Sequence, residues 1–204
     1  MKHQLCHADH IATVTCFGSS QPSISRTLTA AEAIPDSEST MRYVMKQKLF
    51  AWGDDFTIRN EAGQDVYFVD GKAFSFGAKL SFQDMQGNEL AFIAQKLLNW
   101  GPTYEIHRDG KVAAVVKKKL FALMHHRFTI DVPGPDDLEA TGSFTDHEYT
   151  FRRGERVVAT VSKRWFSWTD TYGVDIADGE DDILILASSV VVDMACHPDD
   201  GKRH

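Results

Sequence analysis

Lys117, Lys118 and Lys119, followed by His125, His126 and Arg127, form the strongest basic cluster of the chain. Cationic side chains gathered on one surface hold phosphate, lysine as a mobile point charge and arginine as a planar fork. Lys117, Lys118, Lys119 and Arg127 are therefore the candidate ligand-binding set. The class they fit is an anionic phospholipid head group, another acidic ligand or a protein partner. Neighbours on a strand point to opposite faces, so three consecutive lysines cannot all line one site. Lys48, Lys96, Lys119 and Arg164 also take equivalent places ahead of Leu-Phe, Leu-Leu, Leu-Phe and Trp-Phe. Such recurrence favours a strand-end or snorkelling role over a unique site.

Other chemistry-bearing groups are sparse. His3, Cys6, His7 and His10 have metal-ligand types, but nothing downstream completes a tetrahedral set. His107, His125, His126 and His147 are candidates for acid–base work only if the fold converges them on a carboxylate. Asp54-Asp55, Asp136-Asp137 and the acidic 178–182 stretch fall at turns, where carboxylates stabilise backbone geometry or cap helices. The 178–182 stretch lacks the ligand spacing of a calcium loop. There is no GxSxG elbow, P-loop or strand-following GxGxxG. Trp100, Trp165, Phe166 and Trp168 read as barrel packing and rim rather than as a base-stacking surface. No catalytic residue, metal site or cofactor is assigned. The leading expectation is a non-enzymatic binding module; the alternative is a hydrolase-like enzyme using His125 or His126 with an aspartate at one end of a barrel.

The elements that must position these residues recur. Gly63, Gly87, Gly110, Gly134, Gly154 and Gly179 lie 24, 23, 24, 20 and 25 residues apart, the period of a repeated supersecondary unit. Between them runs of period two alternate apolar and polar faces, as in Phe128/Ile130/Val132 and Tyr172/Val174/Ile176. The connections Glu61-Ala62-Gly63-Gln64, Met85-Gln86-Gly87-Asn88 and Asp109-Gly110 have hairpin chemistry. Twelve strands are expected near 43–51, 55–60, 65–70, 79–83, 89–97, 103–108, 111–118, 127–132, 138–144, 147–152, 156–163 and 171–176. Short links imply an antiparallel meander, and that many strands favour closure into a barrel.

A twelve-stranded barrel is wide and its lumen must be filled. Ile183–Cys196 is the one long apolar run, preceded by Asp181-Asp182 as helix-capping residues. Its pattern fits a helix buried on every side or a buried strand; its length favours the helix. It is too short to span a bilayer.

The net charge of −7 over 204 residues opposes non-specific nucleic-acid binding. Cys6, Cys16 and Cys196 are odd in number and far apart, which points to a reducing compartment. The polar, His-rich start lacks a signal peptide's apolar run, so the expectation is a cytoplasmic protein without a transmembrane segment. Residues 1–40, rich in Ser, Thr, Ala and Pro, read as a mobile extension. The domain is expected over 41–197, with 198–204 as a polar tail.

The segments MRYVMKQKLFAWGDDFTI, AQKLLNWGPTYEI, VAAVVKKKLFALMHHRFTIDV and ATVSKRWFSWTDTYGVDIADGEDDILILASSVVVDM resemble the LURP-one-related family. That family is related to the tubby C-terminal domain and the phospholipid scramblases. The resemblance covers 41–196 and implies a mainly β, twelve-stranded antiparallel closed barrel around a central buried C-terminal α-helix at 182–196. It implies no catalytic constellation. Tubby domains bind phosphoinositide head groups through basic surface residues, and no individual position carries over. The cysteine cluster of scramblases has no counterpart here.

Overall fold

The computed structural model describes residues 40–46, 55–72, 78–97, 99, 101–119, 127–164 and 171–196. The expectations for 1–39, for His125 and His126, for Trp100, Trp165, Phe166 and Trp168, and for the 198–204 tail lie outside them. The strands are β1 (Thr40–Lys46), β2 (Phe56–Asn60), β3 (Asp65–Lys72), β4 (Lys79–Asp84), β5 (Glu89–Gln95) and β6 (Thr103–Arg108). They continue as β7 (Lys111–Lys119), β8 (Arg127–Asp131), β9 (Leu138–Ser143), β10 (Glu148–Arg153), β11 (Arg156–Ser162) and β12 (Thr171–Ala177). Among the described residues the one helix is α1 (Asp182–Cys196).

Every strand pairs antiparallel with its sequence neighbours, and β1 closes on β12, with Thr40 opposite Ala177 and Lys46 opposite Thr171. Alternation decides which side chains face inward. Ile58, Phe82, Ile93, Ile106, Val116, Phe128, Ile130, Phe151, Val161, Val174 and Ile176 are all buried. Near the tight hairpins the register shifts at Ile58/Arg59, Phe82/Gln83, Ile106/His107 and Phe151/Arg152. One extra residue per hairpin sharpens the twist that closure needs.

α1 fills the lumen: every residue from Leu184 to Ala195 is buried. Asp181 caps it, its carboxylate accepting from the Leu184 amide at 3.1 Å and its carbonyl from the Ile185 amide at 3.0 Å. The Tyr43 hydroxyl donates to Asp182 at 2.6 Å. Burial, reinforced by that carboxylate, raises the Tyr43 pKa far above its usual range.

The up-and-down topology gives the barrel two unlike ends. At the tight-turn end the connections are 61–64, 85–88, 109–110, 132–137, 154–155 and 178–181, and they carry eight Asp or Glu and no Lys or Arg. The described connecting residues 55, 78, 96–97, 99, 101–102, 144–147 and 163–164 lie at the other, long-link end. α1 starts at the first end and finishes at the second.

Candidate functional site

The candidate basic set divides between two faces of the barrel wall. Lys117 and Lys119 point outward on β7, and Arg127 lies directly opposite Lys119 on β8. Lys117 donates to Asp131 at 2.6 Å and Arg127 to Glu139 at 3.3 Å. Lys119 has no ion-pair partner among the described residues. Lys118 turns inward, as alternation requires. Its ammonium donates to the Ala195 carbonyl at 3.0 Å and sits 5.9 Å from the Phe128 ring centre. It thereby satisfies an orphan carbonyl at the helix C-terminus and opposes the negative end of the dipole. Three of the four cations share an outer surface, and the fourth holds the plug in place.

Of the repeated basic positions, Lys96, Lys119 and Arg164 all lie at the long-link end, and Lys48 falls outside the described residues. Lys96 bonds Glu105 at 2.9 Å, and Glu105 also meets His107 at 3.2 Å. The Lys96 contact, assisted by His107, holds the Glu105 carboxyl below its ordinary range. Arg164 approaches Glu148 at 3.5 Å. The turn carboxylates serve backbone geometry: Asp137 accepts from the Val132 amide at 2.8 Å, and Glu180 is clamped by Arg153 and Arg156 at 2.8 and 3.2 Å.

A histidine and an aspartate do converge. His147 Nε2 lies 2.8 Å from Asp193 Oδ1, and both side chains are 1% exposed. The Tyr172 ring packs on the imidazole with centroids 4.5 Å apart. Burial, together with the Asp193 charge, raises the phenol pKa values of Tyr149 and Tyr172 well above normal. Cys196, half-buried at the helix end, is likewise pushed up by burial, against an opposing pull from Lys118. The residue types suit acid–base chemistry, but α1 seals the pair from any substrate. Sequence reasoning named His147 only as one histidine among four and did not single out Asp193 within the apolar run. The available signal was a carboxylate inside an apolar helix, which requires a buried partner.

A second feature with no sequence signal is a cleft of about 260 Å³ against β5 and the β6–β7 turn, lined by Leu90, Phe92, His107 and Arg108 among others. Phe92 and His107 form a cross-strand ring pair at 6.3 Å. No cluster of three or more metal-ligating side chains occurs among the described residues. No described helix is long and apolar enough to cross a membrane.

The profile of the LURP-one-related family matches residues 41–193, the span of the barrel and all but the last turn of its helix. The chain belongs to the LURP-one-related family. It is 36% identical over 158 residues to the uncharacterized protein YxjI of Bacillus subtilis, covering 78% of this chain and 95% of that protein. It also resembles an Arabidopsis thaliana protein of known X-ray structure. That match has a TM-score of 0.55 at 16% identity and covers 75% of this chain and 88% of that one. This second likeness speaks to fold alone.

Proposed function

We propose that this barrel is a binding module that recognises anionic phospholipid head groups through outward-facing cations on β7 and β8. The observation that carries the reading is the direct opposition of Lys119 and Arg127, with Lys117 on the same face. Like charges facing each other across a strand pair repel, and an anion seated between them relieves that repulsion. Asp131 and Glu139 neutralise part of the patch and leave one net positive charge. Lysine and arginine at a membrane surface each contribute roughly 1 kcal/mol toward anionic lipid. A cytoplasmic location would present the module to the anionic leaflet.

Flotation of the full chain with phosphatidylserine, phosphoinositide and neutral vesicles, at low and moderate salt, tests this. The expected result is head-group-selective binding that survives moderate salt and is lost in Lys119→Glu/Arg127→Glu. Equal flotation with neutral vesicles, or unchanged binding by a folded double variant, overturns it.

A further inference from the structure

We propose that the cleft against β5 and the β6–β7 turn docks an arginine-bearing, apolar segment of a partner protein, with one arginine side chain seated in the cleft. The site lies at the tight-turn end. It is independent of the head-group reading, which rests on Lys119 and Arg127 at the other end. Lining chemistry, size and charge each support it.

Phe92 and His107 lie directly opposite each other across β5 and β6. Alternation turns both outward, because Ala91, Ile93 and Ile106 beside them are buried in the lumen. The half-buried Phe92 ring and Leu90 supply apolar contact. Glu89 and Asp109 supply two carboxylates, and neither has an ion-pair partner among the described residues. Glu89 accepts a hydrogen bond from the Ser81 hydroxyl at 2.7 Å, which leaves its charge uncompensated. The basic members of the lining are committed elsewhere: Arg108 is held by Asp181, and His107 Nε2 meets Glu105 at 3.2 Å. Lys111 lies opposite Arg108, on the other side of the strand from Val112. An aromatic ring beside two uncompensated carboxylates suits a guanidinium, which stacks on the ring and donates to the acids.

Size favours a side chain over a free ligand. At about 260 Å³ the cleft is smaller than the roughly 300–1,000 Å³ of pockets that enclose a whole small molecule. Protein partners concentrate binding energy in a few anchors set into such clefts, and arginine is among the preferred ones. Exposed apolar side chains continue the surface. Val112, 40% exposed, stands directly opposite His107 on β7. Met85, 46% exposed, tops the β4–β5 hairpin that leads into Glu89. A flexible methionine and an exposed valine near the cleft suit the apolar neighbours of the anchor.

Charge decides the sign of the partner. The tight-turn connections carry eight Asp or Glu and no Lys or Arg, and the strand ends at that rim add four acids against four bases, leaving a balance of −8. Three of those bases are taken up by carboxylates of the same rim, Arg108 by Asp181 and both Arg153 and Arg156 by Glu180. Such a rim steers a basic segment toward the cleft and repels an acidic one, nucleic acid or an anionic bilayer.

The test titrates the isotopically labelled full chain with blocked pentapeptides Gly-Leu-Xaa-Leu-Gly, where Xaa is arginine, citrulline or glutamate, and follows backbone amide NMR shifts. The arginine peptide should bind about tenfold tighter than its neutral citrulline isostere, with shifts gathered at Leu90–Phe92 and His107–Gly110. Glu89→Gln/Asp109→Asn should weaken the arginine peptide by about the same factor and erase its advantage over citrulline. Asparagine tolerates the φ of 51° at Asp109, so the turn survives. Lys119→Glu/Arg127→Glu should bind the peptide as the parent does, which separates this site from the head-group surface. Equal binding of the arginine and citrulline peptides, no binding of either, shifts gathered at the 178–181 turn instead, or unchanged binding by the folded Glu89→Gln/Asp109→Asn variant overturns the proposal. Argininamide binding as tightly as the peptide also overturns it, by assigning the cleft to free small cations. Thermal melts of each variant report that the barrel is intact.

Discussion

His147 and Asp193 are 46 residues apart in sequence and meet at 2.8 Å in the sealed interior of the barrel, tying the β9–β10 connection to the last turns of the central helix. An ionised carboxylate in that setting is tolerable only with a close hydrogen-bonded partner. Asp193→Ala should therefore lower unfolding free energy by about 3–5 kcal/mol. Asp193→Asn should cost less, because the amide oxygen still accepts. Urea denaturation followed by far-UV circular dichroism measures both, and equal stability of Asp193→Ala and parent would contradict the pair's structural role.

Leu186 lies at the middle of α1 and is fully buried. Leu186→Asp places an unpaired charge where no water reaches, and no soluble cooperatively melting protein is expected. Recovery of such a protein would show that the helix is not the core of the barrel.

Gly142 has φ near +142°, and a Cβ there would stand 2.5 Å from the Glu148 carbonyl oxygen and 2.6 Å from the Tyr149 Cα. Both obstacles belong to the backbone or its first atom and cannot swing aside. Gly142→Ala should lower stability by more than about 2 kcal/mol, seen as a fall in the thermal midpoint. A midpoint within a degree of the parent would mean that β9 and β10 separate freely.

The strands were legible because alternation is a local property. Phe128 and Ile130 face inward because period two leaves them no other face once one side is buried, and the expected strand at 127–132 is β8 to within a residue. The helix was legible from an unusually long apolar run with Asp181 ahead of it. The first strand fits less well: 43–51 was expected, and β1 begins earlier, at Thr40, where Met41 to Tyr43 complete its pairing with β12. Side-chain destinations across the lumen were not legible. Lys118 reaches Ala195 over 77 residues, and His147 reaches Asp193, only because the helix threads the barrel in one direction. No local period encodes that. The acidic character of the tight-turn end was equally hidden, since it emerges only when alternate connections are sorted by topology.

Alkaline titration should report how tightly the interior is closed. Tyr43, Tyr104, Tyr149 and Tyr172, four of the five tyrosines, have raised pKa values, with Tyr104 pushed up to about 12, chiefly by burial. A raised folded-state pKa means that their contribution to stability is complete below 10, the ordinary phenol value, and is lost as pH climbs through the folded-state pKa. Absorbance at 295 nm should therefore show these four ionising together with unfolding. Their reversible ionisation near pH 10 in a folded protein would contradict their burial.

Glu105 behaves oppositely. The Lys96 and His107 contacts depress its pKa, so its contribution is present above 4.5, the ordinary value, and disappears as pH falls through the depressed one. The melting-point gap between parent and Glu105→Gln should be open at pH 7 and shrink toward zero in strong acid. A gap that persists unchanged in acid would remove the ion pair as its cause.

Hydrogen–deuterium exchange of the full chain, with and without phosphatidylserine vesicles, tests the account at its centre by locating the bound surface directly. The account predicts that lipid-dependent protection gathers at Lys117–Lys119 and Arg127, while the tight turns at Gly63, Gly87 and Gly154 exchange as before. Protection at those turns, or no change anywhere with bound vesicles, would contradict it.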